Sequence, residues 1–442
     1  MTGAATEATE AALARIARLD PVLHAFATVD PAQAREQARH LDALAAQGAP
    51  TGPLYGTVVG IKDIIDLAGL PTGGGSRTRA QAAPAVVDAL IARRLRAAGA
   101  VLVGKTNTVE YAFGGWGTNV TVGTPRNPWD MARSRAPGGS SSGSGVAVAA
   151  GLVPMALGTD TGGSVRLPAA FCGIVGLKTT FGLLSLDGIL PLGARFDTVG
   201  PMAATVADTA RLFSAMLAED AAALPGAARL AHPEALAQNL AGRRIGVVEA
   251  PDVTLHPDVA KAFAETQRLL ASLGAVLVPA RLPRQVTGYV AAINDLIGPA
   301  GYAEYSALVE AEPNLLGPPV RARMLVGRAV PAHRLYAEQA RQKAESATSA
   351  ELFDGLDALL TPTTAVPAPR LEECDETTSP ALFTRFVNYL DLAAISLPMA
   401  LSAEGLPIGV QLVVPGRQEV RALSLAAALE AARGAFPLPA LG

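Results

Sequence analysis

Short strand-like runs of apolar residues alternate with longer helical patterns along most of this chain, and this alternation limits the possible folds more than any other feature. The run TVVGIKDIID is rich in β-branched residues and places Lys62 at the end of a strand. Helical spacing follows from Val87 to Ala98, and AVLVGKTN then predicts a short buried strand that ends at Lys105. Strands that alternate with helices favour a parallel or mixed sheet, so the sequence predicts an α/β fold.

The same alternation continues on both sides of this segment. Residues 5–48 have the spacing of two helices and end in the turn signal GAPTGP. Later predicted elements are a strand in RRIGVVEA, a helix from Pro257 to Leu273, a strand in AVLVPARLP, a helical region from about Gly298 to Phe353, a strand in DALLTPTT, a helix near Phe383 to Leu392, strands in AISLPMAL and GVQLVVP, and a helix from Gln418 to Arg433. No flexible linker divides the chain. We therefore expect one domain over residues 1–442, with N-terminal helices in 1–50, a catalytic core segment in 51–220, and the remaining sheet and substrate pocket in 221–442.

Composition excludes several classes of protein. Half of the 442 residues are hydrophobic, which is enough for a large core without disulfides or a structural metal. A formal net charge of -3 leaves no cationic excess for nucleic acid or an anionic membrane. The two cysteines suit a reducing cytoplasm, and neither a signal-peptide pattern nor an apolar run long enough for a bilayer is present. We expect a cytoplasmic protein that needs no metal or cofactor and binds neither nucleic acid nor membrane.

Two glycine-rich segments are the candidate site of chemistry. Pro137–Gly145 reads PGGSSSGSG, and Gly158–Pro168 reads GTDTGGSVRLP. A small apolar helix over 145–152 and a strand over 153–157 are all that separate them, so the two turns can meet in space. The first segment lacks the lysine of a phosphate-binding loop, and no dinucleotide fingerprint is present.

Ser141 is one candidate nucleophile, because residues 139–143 fit the G-x-S-x-G pattern of an α/β-hydrolase elbow. Such an elbow follows directly on a strand, whereas Ser134–Pro137 is polar and ends in proline. The context argues against this interpretation. A flexible surface loop is the alternative for the whole segment.

Ser164 is the other candidate nucleophile. Thr161, Gly162, Gly163 and Ser164 can turn successive backbone N–H groups toward one point, and such a nest stabilises an oxyanion. A serine at the end of the nest could attack a carbonyl whose developing charge falls on those donors. A tight turn before the next element is the competing explanation for the glycines.

A serine nucleophile needs a base, and the five histidines all lie outside the glycine-rich segments. A lysine in an apolar environment can serve instead, because burial disfavours its charged form. Lys62 is the best-placed lysine, since it follows TVVGI and precedes another apolar pair.

The chain resembles the amidase signature family from about residue 10 to residue 432. The resemblance is carried by GIKDIID, GKTNTVEYAFGG, RNPWD, PGGSSSGSGVAVAAG, GTDTGGSVRLPAAFCGIVGLKTTFG, LLTPTTAVPAP and GLPIGVQLV. It implies a single α/β domain with a mixed sheet covered by helices on both faces. It also implies a Ser-cisSer-Lys triad, with Lys62 as base, Ser140 as bridging serine on a cis peptide, and Ser164 as nucleophile. The N–H groups of residues 161–164 would form the oxyanion hole of an acyl-enzyme reaction.

The resemblance also bears on residues around the triad. Asp160 and Arg166 either fix the nucleophile turn or form a structural ion pair. Lys105 resembles a structural lysine of the family, and Cys172 is expected to be a small buried residue rather than a second nucleophile.

The family spans hydrolysis of amides, ureido compounds such as allophanate, and carbamates, and it includes the glutaminase component of tRNA-dependent amidotransferases. That component usually has glutamine where this chain has Leu167, which favours a free-standing amidase acting on a small amide or carbamate. The segment Phe113, Gly114, Gly115 and Trp116 and the region from Ile293 to Tyr305 are the candidate substrate-binding segments. Their aromatic residues suggest an apolar or aryl acyl group. A homodimer is the candidate assembly.

Overall fold

One mixed sheet runs through the computed structural model, which describes residues 3–217, 224–237 and 239–441. Within these residues the strands are β1 (Phe26–Val29), β2 (Val58–Lys62), β3 (Val101–Thr106), β4 (Met155–Asp160), β5 (Val175–Lys178), β6 (Thr198–Ala203), β7 (Arg244–Val248), β8 (Val276–Ala280), β9 (Ala358–Pro362), β10 (Ala393–Leu401) and β11 (Pro407–Val414). Their order across the sheet is β1-β3-β2-β4-β6-β5-β10-β11-β9-β7-β8. The predicted mixed α/β sheet in one domain is confirmed, while the proposed boundary between segments 51–220 and 221–442 lies outside the described residues.

Twelve α-helices surround the sheet in the described part of the chain. They are α1 (Ala4–Leu23), α2 (Pro31–Ala46), α3 (Leu90–Ala97), α4 (Ser142–Ala149), α5 (Arg166–Cys172), α6 (Val206–Leu217), α7 (Pro257–Ser272), α8 (Val286–Val309), α9 (Pro318–Arg328), α10 (Ala332–Ala347), α11 (Arg385–Tyr389) and α12 (Glu419–Arg433). None of the described helices is long and apolar enough to cross a membrane.

The sheet separates two hydrophobic cores, because successive side chains of a strand point to opposite faces. Met155 and Leu157 of β4 belong to the core that includes α3, α6 and α12, whereas Ala156 belongs to the core that includes α1, α4 and α5. Both faces are therefore covered by helices. This arrangement explains why the central strands are apolar at almost every position.

The N-terminal region departs from the prediction in one respect. Two helices form as expected, and α2 begins where Pro31 follows Asp30, whose side chain accepts the Gln33 N–H at 2.9 Å. Between the helices, however, lies the edge strand β1, which pairs antiparallel with β3. Its four residues FATV are too few to show a clear alternation, so the sequence pattern did not reveal it.

Helix α4 begins inside the Gly/Ser segment rather than after it. We predicted a helix over 145–152, but it spans Ser142–Ala149, and β4 is shifted from 153–157 to Met155–Asp160. The small residues permit close packing: a Cβ on Gly143 would lie 2.2 Å from the carbonyl oxygen of Ala25. Ser144 Oγ donates to the Leu157 carbonyl at 2.8 Å. The segment is a buried part of the domain and not a flexible surface loop.

Candidate active site

Lys62 stands at the carboxyl end of β2 and is completely buried. Its Nζ donates hydrogen bonds to Ser140 Oγ and to Thr159 Oγ1, each at 2.7 Å. Strand β4, which carries Thr159, runs parallel to β2 as its neighbour. The ends of two adjacent parallel strands therefore bring the lysine to the glycine-rich turns, as is common for sites of α/β sheets.

The charge of Lys62 is not neutralised by a direct ion pair within the described residues. Burial lowers the pKa of its amine from about 10.5 to about 7, and the carboxylates of Asp160 and Asp197 offset only part of this effect. Lys105 differs, because its Nζ lies 3.1 Å from Asp63 Oδ1 and donates to Thr72 Oγ1 at 3.0 Å. Of these two buried lysines, Lys62 is the one whose surroundings suit a neutral base.

Ser140 is fixed by its backbone at the entrance to α4. The Gly139–Ser140 peptide bond is cis. The Ser140 carbonyl accepts hydrogen bonds from the Val109 N–H at 3.1 Å and from Thr108 Oγ1 at 2.9 Å. Because Ser140 is fully buried, its hydroxyl meets protein groups rather than bulk water.

The turn that carries Ser164 is organised by the Asp160 carboxylate. Asp160 accepts hydrogen bonds from the Gly163 N–H at 2.7 Å and the Val165 N–H at 3.2 Å, and Arg166 Nε lies 3.0 Å from it. Burial opposes the charge on Asp160, but the Arg166 guanidinium outweighs it and holds the pKa of the carboxyl below its ordinary value. The two interpretations of this pair are therefore compatible, because the buried ion pair also fixes the turn.

Gly163 has to be a glycine in this turn. Its φ is +135°, and a Cβ there would lie 2.3 Å from Thr384 Oγ1. Thr384 Oγ1 in turn donates to the Gly162 carbonyl at 2.7 Å. Thr384, the residue that precedes α11, therefore stabilises the turn through this hydrogen bond.

The four N–H groups proposed as oxyanion donors differ in the acceptors they have among the described residues. The Gly163 N–H already donates to Asp160 Oδ1 at 2.7 Å. The N–H groups of Thr161, Gly162 and Ser164 have no acceptor in the described part of the protein. Thr161 Oγ1 donates to Asp197 Oδ1 at 2.6 Å, which fixes the start of the turn.

A cavity of about 350 Å³ opens above this turn, and Ser164 lines it. Phe113, Gly114 and Gly115, three of the four residues proposed to bind substrate, also line it, whereas Trp116 does not. The indole of Trp116 stacks on Phe171 with ring centroids 6.4 Å apart, and its Nε1 donates to the Asp375 carbonyl at 3.0 Å. The Trp116 ring therefore packs against Phe171 and lies outside the cavity lining.

The predicted region from Ile293 to Tyr305 contributes one face of α8 to the cavity. Val290, Asn294 and Ile297 follow each other at helical spacing along this face, and Gly298 completes it. Arg323 of α9 and Arg385 of α11 supply positively charged groups of the wall.

The other candidate nucleophiles and bases lie elsewhere. Ser141 is fully buried, and its Oγ is bound to the backbone of Thr159, accepting the N–H at 3.2 Å and facing the carbonyl at 3.3 Å. Burial raises the pKa of the Cys172 thiol, which lies 3.3 Å from the Pro137 carbonyl. All five histidines, which are within the described residues, are exposed and none lines the cavity: His24, His40, His232, His256 and His333. Among the described residues, no cluster of His, Cys, Asp or Glu could hold a metal ion.

Several residues of the site were missed from the sequence. Thr159 contacts Lys62, Asp197 contacts Thr161, and Arg323 and Arg385 line the cavity. Thr159 could have been found as the neighbour of Asp160 at the end of β4. The two arginines are among many in an arginine-rich chain and carry no local pattern, so only the fold selects them.

Comparison with known proteins finds relatives along nearly the whole chain. The Amidase family profile matches residues 7–423. A "2-amino-5-chloromuconic acid deaminase" of Comamonas testosteroni is 38% identical over 437 residues, covering 95% of this chain and 90% of the relative. The A subunit of the glutamyl-tRNA(Gln) amidotransferase of Symbiobacterium thermophilum is 38% identical over 445 residues, covering 92% of this chain and 89% of the relative.

Solved structures of amidases superpose on this chain. The native peptide amidase from Stenotrophomonas maltophilia superposes with a TM-score of 0.81 at 31% identity, covering 99% of this chain and 95% of that one. A crystal structure described as an amidase superposes with a TM-score of 0.86 at 31% identity, covering 97% and 96%. The chain thus belongs to the amidase signature family and is a hydrolase of carbon–nitrogen bonds.

Proposed function

We propose that this hydrolase cleaves the C–N bond of a small amide or carbamate through an acyl-enzyme, with Lys62 as base, Ser140 as bridging serine and Ser164 as nucleophile. The observation that carries the proposal is the 2.7 Å contact between Lys62 Nζ and Ser140 Oγ in a buried site beside the turn of Ser164. Of these three residues, Ser164 is the one that lines the cavity. It can therefore meet a substrate while the other two groups stay covered.

Proton transfer in the proposed reaction runs along the three side chains. A neutral Lys62 amine takes the proton of Ser140, Ser140 takes that of Ser164, and Ser164 Oγ forms a bond to the substrate carbonyl carbon. When the tetrahedral intermediate collapses, the C–N bond breaks and the departing nitrogen receives the proton through the same groups. Water then attacks the acyl-enzyme, gives up its proton along the same path and releases the acid.

Three N–H groups of the turn, which have no acceptor among the residues that the structure describes, support the charge that develops in this reaction. Those of Thr161, Gly162 and Ser164 can donate to the carbonyl oxygen as it becomes negative. Thr159 accepts one N–H of Lys62 at 2.7 Å and so orients the amine toward Ser140. Asp197 and Asp160 hold the two ends of the turn, which keeps the donors in place before substrate arrives.

The shape of the cavity supports a small acyl group with apolar parts. Phe113, Leu167 and Ile297 contribute apolar wall, and the volume of about 350 Å³ is at the small end for ligand sites. We include carbamates and amides with an aryl acyl group among the proposed substrates, and ureido compounds such as allophanate as an alternative. A panel of aryl amides, carbamates, allophanate and glutamine, read by released amine or ammonia, separates them.

Covalent labelling tests the nucleophile directly. A fluorophosphonate probe, mapped by mass spectrometry of the digested protein, is expected to modify Ser164. The Ser164→Ala variant should lose the label, while Ser141→Ala should keep it because Ser141 Oγ faces the backbone of Thr159. A label on Ser141 or on a histidine would refute the proposed role of Ser164.

The glutaminase-type A subunit of a tRNA-dependent amidotransferase is the second candidate function, since several relatives carry that name. Leu167 lines the cavity at the position where such proteins usually have glutamine, which favours the free-standing enzyme. Glutamine hydrolysis that requires added partner proteins would reverse this preference.

The proposal also covers localisation and assembly. The two cysteines are unpaired, which supports a reducing cytoplasm. Light scattering of the purified protein tests the proposed homodimer.

A further inference from the structure

The cavity above Ser164 contains a cationic group that has no acidic partner among the described residues. Two arginines and one carboxylate line it, namely Arg323, Arg385 and Glu376. Arg323 is engaged, because it pairs with the Glu376 carboxylate and its Nη1 donates to the Phe113 carbonyl at 2.8 Å. Among the described residues that line the cavity, Arg385 is the charged group without a partner of opposite charge.

Arg385 is held in place by neutral groups in the described part of the chain. Its Nη1 donates to the Val290 carbonyl at 2.9 Å and to Asn294 Oδ1 at 2.7 Å, which ties it to the cavity face of α8. Its Nε is buried and has no hydrogen-bond partner, and within the described residues Nη2 has none either. A buried N–H of a charged group without an acceptor is costly, so it indicates a place for a ligand acceptor.

The two unpartnered groups form one edge of the guanidinium. Nε–H and Nη2–H are parallel donors whose spacing matches the two oxygens of a carboxylate. The hydrogen bonds of Nη1 to α8 fix the plane of the guanidinium, so this edge is already oriented. Burial, aided by the neighbouring Arg323, lowers the pKa of Arg385 to about 10, and the group therefore stays charged at neutral pH.

This edge lies close to the proposed reaction centre. A Cβ built on Gly162 would stand 3.8 Å from Arg385 Nε and 3.7 Å from its Cγ. Gly162 supplies one of the free N–H groups of the turn. A carboxylate bound to Arg385 is consequently separated from the scissile carbonyl by only a few atoms of the substrate.

We propose that Arg385 binds a carboxylate of the substrate through Nε and Nη2, so that the enzyme acts on small amides that carry a carboxylate. This inference rests on the proposed function of Ser164, because it places the carboxylate relative to that serine. The apolar wall formed by Phe113, Leu167 and Ile297 would enclose the short chain between the two functional groups. Arg385 is a specificity residue in this scheme and takes no part in proton transfer.

Matched substrates test the proposal in the wild-type protein. Succinamic acid and its uncharged counterpart butyramide each have one amide and differ in the carboxylate on the acyl part, and N-acetylglycine and N-ethylacetamide differ likewise on the amine part. We expect at least one acid to have a kcat/KM about 100-fold above that of its neutral counterpart. The pair that shows the preference identifies which part of the substrate Arg385 holds.

An Arg385→Gln variant tests the residue itself. The preference for the acid, measured as the ratio of kcat/KM for the acid to kcat/KM for its neutral counterpart, should fall about 100-fold. Arg334→Gln is the control, because it removes a charge from an exposed pair with Asp295 outside the cavity. Equal behaviour of the two arginine variants, or equal rates on acids and neutral amides in the wild type, would overturn the inference.

Binding gives a readout that does not depend on turnover. Succinate and glutarate, titrated calorimetrically into the Ser164→Ala variant, should bind more tightly than the corresponding diamides, and adding Arg385→Gln should remove the difference. Fluorophosphonate labelling of Ser164 is measured in the wild-type protein in parallel. If Ser164 is labelled but carboxylates do not bind, this inference fails alone; if Ser164 is never labelled, the proposed function fails.

Discussion

Lys62 Nζ lies 2.7 Å from Ser140 Oγ, although 78 positions separate the two residues in the sequence. The contact forms because β2 ends beside β4 and α4 begins over the same edge of the sheet. A buried amine therefore has a hydroxyl within reach, and no carboxylate of the described residues pairs with it directly. The predictions below follow from this relationship and from the turn of Ser164.

Loss of either end of the proposed proton path should abolish turnover. We expect Lys62→Ala and Ser164→Ala each to lower kcat by about 10⁴-fold or more, since members of one catalytic unit act together. The double variant should be no slower than the worse single variant. Steady-state kinetics checks this, with circular dichroism to verify folding. Multiplicative losses in the double variant would show that the two residues act independently.

The pH dependence of kcat/KM should reflect the lowered pKa of Lys62. Only the neutral amine can accept a proton, and burial places its pKa at about 7. Activity should therefore be complete well above pH 7 and fall about tenfold per pH unit on the acidic side. A rate on a substrate without ionisable groups that stays constant down to pH 5 would contradict a lysine base.

The same lowered pKa predicts a cost in stability. At a pH between about 7 and about 10.5, this lysine must lose its proton when the protein folds, and that loss lowers the free energy of unfolding. The cost is absent above pH 10.5 and grows as the pH falls toward 7. At pH 8 it amounts to about 3 kcal/mol. Lys62→Met avoids it but loses the hydrogen bonds to Ser140 and Thr159, at about 1 kcal/mol each. We expect Lys62→Met to have a higher Tm than the wild type at pH 8 and a lower Tm at pH 10, where the remaining cost of about 1 kcal/mol is smaller than that of the two lost hydrogen bonds; a lower Tm at both would refute the cost.

Removing the charge of Asp160 should destabilise the fold. Asp160→Asn leaves the buried guanidinium of Arg166 without its counter-ion, and breaking such a pair costs about 3–5 kcal/mol. Urea unfolding measures this loss. Glu10→Gln is the control, because the Glu10–Arg35 pair is half exposed and should be almost neutral. Similar midpoints for the two variants would show that the Asp160–Arg166 pair does not hold the turn.

An added methyl group at Gly163 should disturb the nucleophile turn. The Cβ of Gly163→Ala would collide with Thr384 Oγ1 at 2.3 Å, so kcat should fall about 100-fold or more even where the protein still folds. Gly123→Ala is the matched control, since Gly123 also has a positive φ of +101° but nothing within 4 Å of the added Cβ. Equal activity of the two variants would mean that the turn tolerates a shift.

Much of the fold was predictable because its elements are set by local patterns. The apolar runs of β2 and β3 and the helical spacing of α3 and α7 appear in the sequence at nearly the observed bounds. Edge strand β1 was missed, because four residues give too short an alternation. The predicted start of α4 was wrong, because serine and glycine favour loops locally. The helix is stabilised there by the tight packing around Gly143, which is a tertiary interaction.

By itself the sequence determined which groups are available: a lysine at the end of an apolar strand, and two glycine-rich turns with serines. Local propensity and residue chemistry suffice for that. Only the tertiary structure decided which groups meet, because proximity across the sheet depends on strand order and burial. It engaged the Gly163 N–H with Asp160, placed Trp116 on Phe171, and left Arg385 above Ser164 with no acidic partner in the described ranges. These contacts depend on which charges and hydrogen-bonding groups compete for one another in the buried site, and no local sequence pattern contains that information.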